Sequence, residues 1–311
     1  MRTAFLFPGQ GAQTVGMAKD VAQAIPQAAA VYEKAGRILG LDLAKLCFEG
    51  PAEQLNTTAM SQPAIFTTSV ALLEALKAGP GGQGIRPDVC AGLSLGEYTA
   101  LHAAGVIGFE EALRLVWTRG RAMQAAADAT PGAMVSIIGL DPEKARALCD
   151  QAAQGESLQP ANYNCPGQIV ISGTRAACER AEALAPALGA AKAVRLEVAG
   201  AFHTPLMAPA AAALEQALAG CPLRDPSPVR VLSNATADYY ADGRSVPAGL
   251  VRQLTSPVLW QGCMERLLAD GVERFVEIGP GKVLTSLMRR IHRRADITPI
   301  HDLASLEGAK F

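Results

Sequence analysis

Asp88-Val89-Cys90-Ala91-Gly92-Leu93-Ser94-Leu95-Gly96-Glu97-Tyr98 is the stretch whose reading decides the fold. Residues 88–92 form a short apolar run that reads as a buried strand, and helical character sets in over 98–104. Between them stands Gly-x-Ser-x-Gly. Glycines on either side of a serine permit a sharp, strained strand-to-helix turn that lifts the hydroxyl into the open. The pattern alone also fits a tight glycine turn whose serine caps the following helix.

The same strand-loop-helix order recurs twice. Residues 4–7 read as a strand cut by Pro8-Gly9-Gln10-Gly11, with helical residues resuming near Val15. Residues 274–278 read as a strand followed by Gly279-Pro280-Gly281 and a helix over about 282–294. Repeated units of this kind predict an α/β fold: a mostly parallel sheet covered by helices, with loops gathered at the strand C-terminal ends. The middle of the chain has a different rhythm. Strand 133–140, helix 142–153, strands 159–163 and 169–172, helix 175–188 and strand 193–198 make the order βαββαβ, a ferredoxin-like unit. The predicted organisation is therefore a discontinuous large subdomain, 1–128 and 199–311, with an insert at 129–198. The alanine-rich stretch 208–219 reads as a buried helix.

Composition narrows the function classes. A chain of 311 residues, half hydrophobic and 18% charged, has the profile of a soluble globular protein. A formal net charge of −1 provides no global field for nucleic acid or an anionic membrane. Seven cysteines without a C-x-x-C pair argue against a disulfide framework or a zinc site, and favour a reducing cytoplasm. No stretch reaches the ~20 apolar residues that span a bilayer, and the apolar run before Pro8 is too short for a signal peptide. No linker or second catalytic module flanks the core, which favours a free-standing enzyme.

A serine hydroxyl needs a base. The four histidines are His102, His203, His292 and His301. His102 lies two helical turns beyond Ser94 and reads as packing, His292 sits among arginines, and His301 reads as surface. His203 follows a strand end and precedes a helix, in the same loop layer as Ser94, and is the leading base, although a histidine beside a proline is also a common structural feature. Acyl chemistry further needs oxyanion donors. In this turn one is the N–H of the residue after the serine, Leu95, and the loop carrying Gln10 is the natural second supplier. That loop lacks the Gly-Lys-Ser/Thr of a nucleotide P-loop.

With these residues in view, Phe7-Pro8-Gly9-Gln10-Gly11-Ala12-Gln13, Gly92 to Tyr98, Arg119-Gly120-Arg121-Ala122-Met123-Gln124 and Gly200-Ala201-Phe202-His203-Thr204-Pro205 together resemble the malonyl-CoA:acyl carrier protein transacylases of the discrete bacterial type. The likeness continues through Asn162 to Gln168, Gln253 to Trp260 and Glu277 to Lys282. It implies an α/β-hydrolase-like core with a ferredoxin-like insert. It further implies Ser94 as nucleophile, His203 as base, Gln10 and Leu95 as oxyanion donors, and the backbone carbonyl of Gln253 in place of a triad carboxylate. Arg119 would grip a free malonyl carboxylate, and Phe202 would crowd an α-substituent. Gln62 and Asn162 would line the pocket. Malonyl-CoA and the phosphopantetheine thiol of acyl carrier protein are then the substrates, and neither metal nor redox cofactor is called for. Arg289, Arg290, Arg293 and Arg294 form a basic cluster that is either a solvated face or an attractor of the acidic carrier protein or CoA phosphates. The same elbow also suits a serine hydrolase such as a thioesterase, and the chain could instead be a non-catalytic carrier-protein scaffold.

Overall fold

The computed structural model describes residues 1–79 and 84–310; residues 80–83 and 311, inside the expected large subdomain, lie outside the described residues. Six strands, β1 (Arg2–Phe7), β2 (Val89–Gly92), β7 (Arg230–Ser233), β8 (Asp238–Tyr239), β9 (Val272–Ile278) and β10 (Asp296–Ile300), form one sheet in the order β10-β9-β1-β2-β7-β8. Every neighbouring pair is parallel except β7 and β8. Side-chain direction alternates along a strand. Accordingly Phe5, Phe7, Cys90, Val231 and Val276 pack into one apolar cluster, while Ala4, Leu6, Val89, Ala91 and Leu232 pack into another on the opposite face. Burial on both faces is what makes β1 and β2 continuous apolar runs.

The second sheet contains β3 (Gly132–Ile138), β4 (Leu158–Cys165), β5 (Gln168–Thr174) and β6 (Lys192–Arg195) in the antiparallel order β4-β5-β3-β6. With helices Pro142–Ala153 and Arg175–Leu184 this is the predicted βαββαβ unit. Val135, Ile137, Ile169 and Ile171 bury against Leu148, Cys149, Cys178 and Ala181 of those helices.

Several boundaries differ from the sequence reading. Helical structure does not resume at Val15 but at Lys19, because Gly16 (φ 94°) and Ala18 (φ 51°) hold the chain in left-handed turns. The helix expected over 175–188 stops at Leu184 and tightens into a 3-10 turn over Ala185–Leu188, since Pro186 lacks the N–H that would continue it. The helix expected over about 282–294 spans only Val283–Ile291: its buried face, Leu284, Leu287 and Met288, ends there, and His292 is extended. β6 ends at Arg195 rather than 198. His301, expected at the surface, is half-buried beside Asp302.

Because β1, β2, β7 and β9 run the same way, their C-terminal loops share one edge of the sheet. The elbow is fitted there by close backbone contact. A Cβ on Gly92 would stand 1.9 Å from the carbonyl carbon of Gly96, and one on Gly96 would stand 2.1 Å from the Phe7 carbonyl oxygen. A Cβ on Gly9 would meet the Leu93 oxygen at 2.3 Å. Real Cβ atoms do not approach so closely, so the two glycines of Gly-x-Ser-x-Gly and the first glycine of the β1 loop are required by packing. They bring the Gln10 loop directly against the elbow, and Leu93 N donates to Phe7 O at 3.0 Å.

Candidate active site

Ser94 occupies the left-handed region at φ 52°. A non-glycine residue there costs about 1–2 kcal/mol, and the strain is held by Asn234, which follows β7. Its Oδ1 accepts from Ser94 N at 2.6 Å while its Nδ2 donates to Gly92 O at 2.8 Å. His203, also left-handed at φ 60°, puts Nε2 2.9 Å from Ser94 Oγ. Its Nδ1 lies 2.8 Å from the Gln253 carbonyl. A carbonyl only accepts, so Nδ1 carries the proton and Nε2 presents its lone pair to the serine hydroxyl.

That carbonyl is available for a local reason. Gln253 lies in the final turn of helix Val246–Thr255, where carbonyls lose their i+4 partners, and the residue four positions on is Pro257, which has no N–H to offer. Burial, reinforced by the charge of Arg119, lowers the His203 imidazole to about 4. The ring is therefore neutral, and able to accept a proton, through the whole neutral range.

Arg119 projects from helix Phe109–Ala129, which approaches helix Thr58–Ala78 so closely that a Cβ on Gly120 would sit 2.7 Å from Thr58 O. The guanidinium is 1% exposed. It donates to Gln62 Oε1 at 2.7 Å, to Ser94 Oγ at 3.0 Å and to Gln253 Oε1 at 3.0 Å. All three acceptors are neutral, its Nε has no partner, and no carboxylate among the described residues makes a salt bridge with it. Burying a cation without a bonded anion is costly. This one is poised over the nucleophile with donors to spare.

Gln10, Ser94, Arg119, Asn162, Phe202 and His203 all line one cleft of about 530 Å³. Gln62, Leu95 and Gln253 are buried and stand outside the lining: Gln62 and Gln253 hold Arg119 from behind, and the Leu95 side chain packs into the apolar core. The N–H groups of Gln10 and Leu95 have no acceptor among the described residues, so both remain available to an oxygen above Ser94. Of the other histidines, His102 is packed against Phe66 and Phe109 with Nδ1 3.1 Å from Ile107 O, and neither it nor His292 nor His301 reaches the cleft. In the basic cluster, Arg289 and Arg290 belong to helix Val283–Ile291, whose Val283 and Leu287 line the cleft; all four arginines are exposed, and Arg290 bonds Gln168 Oε1 at 2.8 Å and Pro166 O at 3.3 Å.

Sequence reasoning missed Asn234, Tyr240 and any role for Glu97. Glu97 stood inside the elbow motif but reads there as an ordinary first-turn helix acid; Asn234 had a signal only in its place after a strand that short apolar length hides.

Fold and geometry together give the build of a serine enzyme that carries an acyl group on a hydroxyl at the edge of a parallel α/β sheet. The acyl transferase domain family matches residues 4–306, and the chain belongs to that family. It is 46% identical over 306 residues to the malonyl CoA-acyl carrier protein transacylase of Escherichia coli strain K12, covering 98% of each chain. It is 44% identical over 309 residues to the protein of that name from Bacillus subtilis, covering 99% of this chain and 96% of that one. Among solved structures, an acyl carrier protein S-malonyltransferase from Vibrio cholerae superposes with a TM-score of 0.94 at 42% identity over the full length of both. A malonyl-transacylase in complex with a type II PKS acyl-carrier protein superposes equally well, at 41% identity and 99% coverage of each chain.

Proposed function

We propose that the chain is an [acyl-carrier-protein] S-malonyltransferase, moving malonyl from malonyl-CoA through an ester on Ser94 to the phosphopantetheine thiol of acyl carrier protein, for fatty-acid or polyketide synthesis. The observation that carries this reading is the buried Arg119 guanidinium, bonded only to neutral acceptors and 3.0 Å from the nucleophile. A malonyl carboxylate completes it with charge-assisted hydrogen bonds, and an acetyl group does not.

His203 Nε2 takes the Ser94 Oγ proton as Oγ attacks the thioester carbon. The oxyanion is held by the N–H groups of Gln10 and Leu95. The carbon–sulfur bond breaks, and the proton on Nε2 passes to the departing CoA sulfur, leaving malonyl-Ser94. The pantetheine thiol then gives its proton to the same nitrogen, its sulfur attacks the ester, and Ser94 regains the proton as the new thioester leaves. Throughout, the Gln253 carbonyl keeps the proton on Nδ1 and stabilises the imidazolium. Gln62 fixes the guanidinium, Phe202 narrows the space beside the malonyl α-carbon, and Asn162 lines the approach. The chain's own residues supply every group these steps use.

The small subdomain is assigned to 129–198 and the catalytic one to 1–128 and 199–311, a division supported by the separate apolar cluster that β3 and β5 form with helices Pro142–Ala153 and Arg175–Leu184. Seven unpaired cysteines, six of them buried, fit a cytoplasmic setting, and no helix among the described residues is long and apolar enough to cross a membrane. Arg289, Arg293 and Arg294 are exposed, and Arg289 shares its helix with Val283 and Leu287 of the cleft lining, which suits an acidic carrier protein. The test is transfer from malonyl-CoA to the holo carrier protein. Stoichiometric thioester formation is expected; release of free malonate at the same rate without any thiol would make the enzyme a hydrolase. Charge reversal of Arg289, Arg293 and Arg294 should raise KM for carrier protein about tenfold at low salt without changing acylation by malonyl-CoA.

A further inference from the structure

Behind the cleft, and outside the groups used in the steps above, lies a fully buried carboxyl group. Glu97 is 0% exposed and occupies the first turn of the helix that follows Ser94. Its Oε2 accepts from the backbone N–H of Asn234 at 2.9 Å and from Gln253 Nε2 at 2.7 Å, and its Oε1 accepts from the Tyr240 hydroxyl. Two of these three donors lead back to the reacting groups. Asn234 grips Ser94 N through its side chain. Gln253 gives the carbonyl that orients His203, and its amide divides between Glu97 and Ser94 O on the nitrogen side and Arg119 on the oxygen side.

A primary amide can be turned over, exchanging its oxygen and nitrogen ends. Reversed, Gln253 would aim an N–H₂ group at Arg119, donor against donor, and an oxygen at the Ser94 carbonyl. Glu97 forbids this: burial pushes its carboxyl up to about 7, but a proton held there sits on Oε1 against the rotatable Tyr240 hydroxyl, so Oε2, with Asn234 N–H already on it, accepts in either state and the Gln253 end facing it must be the nitrogen. We infer that Glu97 is a positioning residue for malonyl selectivity, locking the Gln253 amide so that its oxygen faces Arg119 and holds the guanidinium in place for a substrate carboxylate. This rests on the assignment of Arg119 as the carboxylate receptor. The role belongs to acceptor geometry rather than charge. Glutamine at position 97 would keep it: its single oxygen can take both the Asn234 and Gln253 bonds, while its nitrogen donates to a Tyr240 hydroxyl free to rotate.

The experiment compares E97A and E97Q with the wild type and R119A, measuring kcat/KM for acylation by malonyl-CoA and by acetyl-CoA on intact enzyme. E97A should lower malonyl acylation about 100-fold and acetyl acylation about tenfold, so that the malonyl-to-acetyl ratio falls about tenfold, while E97Q keeps the ratio within about twofold. An unchanged ratio in E97A, or a ratio in E97Q as low as in E97A, would overturn the inference. R119A separates the two readings. If it collapses the ratio and E97A does not, the Glu97 role alone fails; if it leaves the ratio intact, the Arg119 assignment has failed first. Should E97A not fold, E97L, which keeps more of the volume, takes its place, and failure of both to fold would make Glu97 a folding residue and overturn the role.

Discussion

Replacing Arg119 by alanine gives the sharpest prediction about substrate choice. The guanidinium is nine-tenths and more buried, spends three hydrogen bonds on neutral acceptors, and keeps Nε free. A bound carboxylate would take two hydrogen bonds from a charged donor, worth about 1.5–3 kcal/mol each. Two such bonds amount to about 3–6 kcal/mol, and at 1.4 kcal/mol per decade the expected loss in kcat/KM for malonyl-CoA is roughly 10²–10⁴. Acetyl-CoA has no carboxylate to lose. Its acylation should hold or rise severalfold, because removing the nearby positive charge also makes His203 a stronger base. R119K keeps the charge but not the two-pronged donor and should recover only part of the malonyl rate. The assay is stopped-flow or quenched acylation followed by intact-protein mass. Equal losses for malonyl and acetyl would refute the carboxylate role and leave Arg119 as a support for Ser94.

Two further outcomes follow from the same geometry. Burial and Arg119 hold His203 at about 4, below its ordinary 6.5, so the base stays neutral down to mildly acid pH; the acid limb of kcat/KM for acetyl-CoA should lie well below pH 6.5 in the wild type and move upward in R119A, as pH–rate profiles would show. Gly96→Ala forces a Cβ to 2.1 Å from a backbone oxygen; it should destabilise the fold by roughly 3 kcal/mol, lowering Tm by about 5 °C, and abolish acylation, checked by thermal melts and adduct mass.

What was legible in the sequence was what depends on local chemistry. The apolar run into Gly-x-Ser-x-Gly forecasts the elbow because two glycines there are required by backbone contact, and the switch from parallel-type to βαββαβ rhythm forecasts the second sheet. Helix boundaries were less legible: the helix expected over 175–188 overran Pro186, and the one expected from near Val15 overran the left-handed turns at Gly16 and Ala18. The second line of the site was not legible. Glu97 stands in the helix after Ser94, Asn234 follows β7 and Tyr240 follows β8, and their hydrogen bonds span 137 and 143 positions of sequence. Composition cannot distinguish a buried helix-start glutamate from an exposed one. The Gln253 carbonyl is an intermediate case: Pro257 announces that it lacks a helical partner, but only the fold brings His203 to it.

The central claim is that Ser94 carries malonyl between two thiols, and peptide mass mapping tests it most directly. Enzyme mixed with malonyl-CoA and quenched in acid should carry one malonyl group, on the peptide containing Ser94, and lose it on addition of holo carrier protein as malonyl appears on the carrier's thiol. A malonyl group found on another residue, or no adduct while transfer proceeds at its full rate, would contradict the account.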